Sequence, residues 1–125
     1  MKTYKYRLLK SSWGIFINLT ATITPAEESS LDVQYQWLTE DDRHYLNLGM
    51  KLVPTFVKVV IHDVDFNPCD YQPAGLAVAL AEMIAQEVGL PKPEIPIQFD
   101  KVLGYIFDFK GVLNEPVKSN EESVS

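Results

Sequence analysis

Apolar and polar residues alternate along the first third of the chain. Over residues 3–10 (TYKYRLLK), Tyr4, Tyr6 and Leu8 fall at period two opposite Lys5 and Arg7, the pattern of a half-buried strand. Ser11, Ser12, Trp13 and Gly14 read as a turn. Over residues 15–24 the alternation is cleaner, with Ile15, Ile17, Leu19, Ala21 and Ile23 on one face and Phe16, Asn18, Thr20, Thr22 and Thr24 on the other. A polar connection, PAEESS, follows. Residues 31–37 then alternate again, with Leu31, Val33, Tyr35 and Trp37 inward, and the simplest pairing for these two runs is a long antiparallel hairpin.

The period then lengthens. Thr39 followed by Glu40, Asp41 and Asp42 is a helix start, a hydroxyl cap with acids where they complement the dipole. That helix should run to about Lys51, weakened by Gly49 and ended by Val53-Pro54. Residues 57–63 (VKVVIHD) are almost continuously apolar, as expected of a strand central to its sheet, and residues 63–72 read as an acidic turn. A second helix begins at Pro73, capped by Asp70, with Leu76, Leu80, Met83, Ile84 and Val88 as its apolar stripe and Ala74, Ala77, Ala81 and Ala85 as a small-residue row. Gly89 and Pro91 stop it. Three prolines keep residues 90–96 extended, and residues 102–109 form the last strand. The fold class expected is α+β: a mixed, mostly antiparallel sheet of four to five strands with two helices on one face, in the order βββαβαβ. One domain should cover residues 1–110, with residues 111–125 a disordered polar tail.

Composition narrows the functional classes. The 125 residues are 46% hydrophobic and 22% charged, ordinary for a globular domain with its own core. No apolar run approaches the roughly 20 residues that span a bilayer. The basic start MKTYKYRLLKSSWG lacks the apolar stretch of a signal peptide, and one cysteine, Cys69, suits a reducing cytoplasm. The net charge is −6, and the bases are scattered rather than gathered into a stripe, which argues against a nucleic-acid partner.

Candidate chemistry gathers in one place. His62, Asp63, Asp65, Asn67, Cys69 and Asp70 lie close in sequence and are the candidate binding residues. His62 and Asp63 are neighbours in a strand, so they should point to opposite faces. A zinc site needs several Cys or His ligands at recognised spacing, and this stretch has one of each. Asp63, Asp65 and Asp70 could meet a hard cation in a turn, but turns and caps favour Asp for backbone reasons alone. No metal and no cofactor are therefore expected. Cys69 would need a lowered pKa to act as a nucleophile, and Asp70 beside it opposes that. None of the recognised catalytic loops or fingerprints occurs, so no catalytic residues can be named and an enzyme is disfavoured.

The run Val57-Lys58-Val59-x-Ile61-x-Asp63, then Asp70, then Gly75-Leu76 and an alanine-rich helix, resembles domain IV of elongation factor G and its relatives among the translational GTPases. Phe66 stands at the family's tyrosine, Asn67 at its histidine, Cys69 at its valine and Asp70 at its aspartate. The resemblance covers roughly residues 3–110 and implies the ribosomal protein S5 domain 2-like fold, with a left-handed βαβ crossover against the usual preference. Val64 replaces the family's turn glycine and Tyr71-Gln72 its paired serines. The basic glycine-rich loop that approaches the ribosomal decoding site is absent, the acidic PAEESS standing in its place, and no GTPase domain is expected.

Three functions follow as expectations. The first is a small non-enzymatic cytoplasmic binding or regulatory domain acting through a protein partner, one version being an immunity or antagonist protein. The second, implied by the resemblance, is a stand-alone module associated with the ribosome or RNA. The third is a small-molecule enzyme or metal-binding protein using the His62, Asp63 and Cys69 region. The strand over residues 3–10 could also pair at a sheet edge across a homodimer.

Overall fold

The computed structural model describes residues 1–10, 14–67 and 70–110. Its elements are β1 (Lys2–Leu9), β2 (Gly14–Pro25), β3 (Ser30–Val33), α1 (Glu40–Met50), β4 (Val57–Phe66), α2 (Ala74–Val88), β5 (Ile97–Asp100) and β6 (Gly104–Phe107). The class is α+β, as the patterning predicts, with a mixed four-stranded sheet, a separate two-stranded hairpin and two helices. The expected polar tail, residues 111–125, lies outside the described residues, as do Ser11, Ser12 and Trp13 of the first turn.

The strand order is β1-β2-β4-β3, which corrects the expected pairing of the second and third strands. β2 pairs antiparallel with β1 and β4, while β3 runs parallel to β4 at the far margin. The reason is the apolar run of β4. Val57, Val59 and Ile61 are fully or almost fully buried, and a strand of that composition lowers the free energy most with a neighbour on each side. The connection after Pro25 therefore crosses to the far side of β4, tied there by Ala26 N–H donating to the Phe56 carbonyl and Val57 N–H donating to Ser29 Oγ. β3 ends at Val33, short of the expected Trp37.

β4 is longer than the patterning suggests, reaching Phe66, so that Asp63 and Asp65 belong to a strand and not to a turn. A bulge makes this possible. Thr20 faces Asp63 and Ala21 faces Ile61, leaving His62 as the extra residue. One inserted residue shifts the period by one, so Ile61 and Val64 both point into the core although three positions apart. The same shift overturns the expectation that His62 and Asp63 take opposite faces. Both stand on the open face, Asp63 opposite Thr20 and His62 bonded to Thr22.

One core lies between the sheet and the helices. Tyr6, Leu8, Ile15, Ile17, Leu19 and Ala21 meet the buried stripe of α2, which extends over Leu76, Leu80, Met83 and Ile84. The small residues have a packing role. A Cβ on Gly49 of α1 would sit 2.7 Å from the Ala77 carbonyl oxygen of α2, so the two helices approach to backbone contact at that point. α1 begins as predicted, with Thr39 as cap and Asp42 closing the reciprocal capping box. α2 does not begin as predicted. Its cap is Pro73, with no side-chain bond, and the Gly75 and Leu76 N–H groups turn back to the Gln72 and Pro73 carbonyls. Those carbonyls take the work expected of Asp70. Gly89, with φ 77°, closes α2 in the left-handed region glycine favours.

The C-terminal strand pairs only locally. β5 and β6 form an antiparallel hairpin, its turn fixed by Asp100 accepting from the Val102 and Leu103 N–H groups. It docks through Gln72, whose amide exchanges two hydrogen bonds with the Tyr105 backbone, and through the Tyr105 hydroxyl, which accepts from Lys10 N–H.

Candidate functional site

Two surfaces compete for the functional role. The first is the open face of the sheet, which carries most of the residues singled out from the sequence. Period-two alternation on β1, β2 and β4 puts Lys5, Arg7, Phe16, Asn18, Thr20, Thr22, His62, Asp63 and Asp65 on the face away from the helices. Several of them bond to one another. Arg7 Nη2 donates to Asn18 Oδ1 at 2.9 Å, Asn18 Nδ2 donates to Asp65 Oδ2 at 3.2 Å, and the Arg7 guanidinium lies 5.6 Å from the centre of the Phe16 ring. His62 joins β2 to the residue after β3, Nε2 lying 2.8 Å from Thr22 Oγ1 and Nδ1 3.2 Å from Gln34 Oε1. Thr3 and Thr20 share a hydroxyl hydrogen bond.

The six sequence candidates thus separate. His62 and Asp63 sit at the bulge. Asp65 and Asn67 come together with Arg7, Phe16 and Asn18 around a shallow hollow. Asp70 lies beyond it, its N–H donating to the Asn67 carbonyl, and Cys69 lies outside the described residues. Among the described residues no three His, Cys, Asp or Glu side chains are placed to hold a metal ion. A sheet face of polar side chains, several of them bonded to one another, offers recognition by hydrogen bonding and stacking. Nucleophilic chemistry would need a group free to attack and a base aimed at it.

The second surface was not singled out from the sequence. At the margin of β3 an apolar cavity of about 590 Å³ opens between the end of α1 and residues 51–56. Its lining includes Leu31, Met50, Val53, Pro54 and Phe56. Phe56 is 64% exposed, a large apolar side chain left in water at the rim. This volume falls within the range of ligand pockets. The sequence signal was present but weak: in LVPTFV, Pro54 reads as the stop of a helix, and nothing in the pattern tells a buried Val53 from an exposed Phe56.

Three tyrosines mark where the packing is polar. Burial, reinforced by the hydrogen bond each donates to a carboxylate, holds the Tyr71 phenol (to Asp42) and the Tyr4 phenol (to Glu82) well above the ordinary tyrosine value. Tyr6 is raised by burial and by the Glu82 charge. Tyr71 also stacks on Phe66 at 3.9 Å between centroids, pinning the end of β4 to the start of α1 through Asp42.

Comparison with protein-family models finds no match, and comparison with curated proteins finds none. Among solved structures, a crystal structure of a Thermus thermophilus protein is similar over 64% of this chain at 13% identity, with a TM-score of 0.49. The chain spans 14% of that protein's length. No helix among the described residues is long and apolar enough to cross a membrane.

Proposed function

We propose that the protein is a non-enzymatic binding domain that acts through a protein partner in the cytoplasm, with the β3 margin as the contact. The supporting observation is the apolar cavity of about 590 Å³ beside an edge strand, with Phe56 exposed at its rim. An extended segment laid along β3 gains main-chain hydrogen bonds from the strand, and a pocket beside the strand takes one of its apolar side chains; recognition by strand addition works in this way. Affinity purification from the native lysate tests the reading. The wild-type chain should recover a partner that Phe56→Asp does not. Equal recovery by both chains, or turnover of a metabolite with no partner recovered, contradicts it.

A second reading is a stand-alone module like domain IV of elongation factor G, associated with the ribosome. Its support is the run Val57-Lys58-Val59-x-Ile61-x-Asp63, which lies on the central strand β4, followed by the helix that opens at Gly75-Leu76. Co-sedimentation with ribosomes that weakens steeply as salt rises would favour it.

A further inference from the structure

The sheet has two marginal strands, and these carry opposite charge. β1, at one margin, and the residue after it contribute Lys2, Lys5, Arg7 and Lys10 with no acid among residues 1–10. β3, at the other, and the turn before it contribute Glu27, Glu28 and Asp32 with no base among residues 26–33. We propose that a second copy of this chain is a partner, and that the β1 margin of one copy adds to the β3 margin of the next. The inference rests on the reading of the β3 margin as a contact surface and names what occupies it.

Three features support this pairing over others. The first is face matching. Lys5 and Arg7 lie on the open face of the sheet, and so does Asp32, between Leu31 and Val33, which pack towards the core. When the two strands lie side by side in one continuous sheet, Asp32 comes beside Lys5 and Arg7, and Leu31 and Val33 come beside Tyr4, Tyr6 and Leu8. The second is the state of the charges. Lys5 and Asp32 are exposed and neither makes an ion pair among the described residues, whereas Lys2 is already held by Glu87 at 2.9 Å. The third is the layer beneath. Beside β1 a slot of about 410 Å³, lined by Val78, Glu82, Lys92, Ile95 and Ile97 together with β1 itself, has room for the side chains of an added margin. Beside β3 the open cavity lined by Met50, Val53 and Phe56 has room for apolar groups of the neighbouring layer.

Like margins repel. Two β1 strands would set Lys5 and Arg7 against their own kind, and two β3 strands would do the same with Asp32 and the paired glutamates. The charges that keep equal edges apart, a common protection of edge strands, select the unequal pairing. Such a contact is head-to-tail, so it builds a ring if its rotation closes and an open chain if it does not.

Sedimentation of the full chain over a range of concentrations, in low and raised salt, tests the proposal. The wild type should gain mass with concentration and lose it as salt screens the exposed pairs. Lys5→Glu and Asp32→Lys should each weaken association by about tenfold or more, since like charges are then juxtaposed. The chain carrying both changes should associate again, because the pair is restored with its sign exchanged. Circular dichroism checks that each exposed substitution leaves the fold intact, and Lys5→Gln with Asp32→Asn serve as neutral alternatives. A wild type that stays monomeric at every concentration overturns the proposal, as do single variants that associate like the wild type, or a double variant no better than the singles. A monomeric chain that still captures a different protein through Phe56 overturns this inference alone and leaves the binding-domain reading standing.

Discussion

Gly49 sets two physical effects against each other, and the structure decides the sign. Replacing a helix glycine by alanine stabilises by up to about 1 kcal/mol, because glycine loses more backbone freedom on folding, and by less in the last turn, where Gly49 lies. In this fold the added Cβ would lie 2.7 Å from the Ala77 carbonyl oxygen, 3.2 Å from Ala77 Cα and 3.2 Å from Leu80 Cβ. The nearest atom is backbone within a buried helix, so no side chain can rotate away and the helices must separate. Overpacking of this kind costs about 1–3 kcal/mol, with the upper part of the range expected for a rigid neighbour. The balance for Gly49→Ala is a loss of about 1–2 kcal/mol. At roughly 4–8 °C per kcal/mol for a domain near this size, the midpoint of thermal unfolding should fall visibly. Urea titration followed by circular dichroism gives the free energy directly. A variant as stable as the wild type, or more so, would show that helix propensity governs the site and that α1 and α2 are not held at backbone contact there.

The remaining predictions concern the polar packing. Asp42→Ala removes the acceptor for both the Thr39 N–H and the half-buried Tyr71 hydroxyl, and should destabilise by about 2–4 kcal/mol in the same titration. A loss below about 1 kcal/mol would mean that neither bond matters to the fold. High pH should unfold the protein through its tyrosines. Tyr4, Tyr6 and Tyr71 hold their protons in the folded state to well above the ordinary value, so their contribution is complete below about pH 10. Above that pH the unfolded chain releases protons that the folded chain keeps, and stability falls as pH rises. Phenolate absorbance should therefore lag for these groups and then appear together with loss of the circular dichroism signal. Complete phenol titration near pH 10 with the fold intact would refute this.

Much of the fold was legible because burial imposes a period. The alternation of β1 and β2, the Thr39 cap and the Gly89 stop of α2 were all visible as local rules, and the structure obeys them. Pairing was less legible. The PAEESS connection between two alternating runs looks like a hairpin, and only the demand of β4 for two neighbours puts β3 beyond it. The bulge at His62 was hidden for a related reason. A single inserted residue leaves no compositional mark, yet it moves His62 and Asp63 to one face and carries the strand through Asp65. At the candidate site, the sequence drew attention to acids and a histidine, residues that stand out by type. The apolar wall of the β3 cavity comes from Leu31, Met50, Val53 and Phe56, residues that look like core in the sequence although Phe56 is not buried.

Site-directed photo-crosslinking in the native cell separates the two surfaces most directly. A photoreactive phenylalanine analogue placed at Phe56, at the rim of the β3 cavity, should give a discrete protein adduct, and the same analogue at Thr20, on the open face of the sheet, should give none. The reverse pattern, with adducts at Thr20 and none at Phe56, would contradict the account and move the binding surface to the face that carries Asp65 and His62.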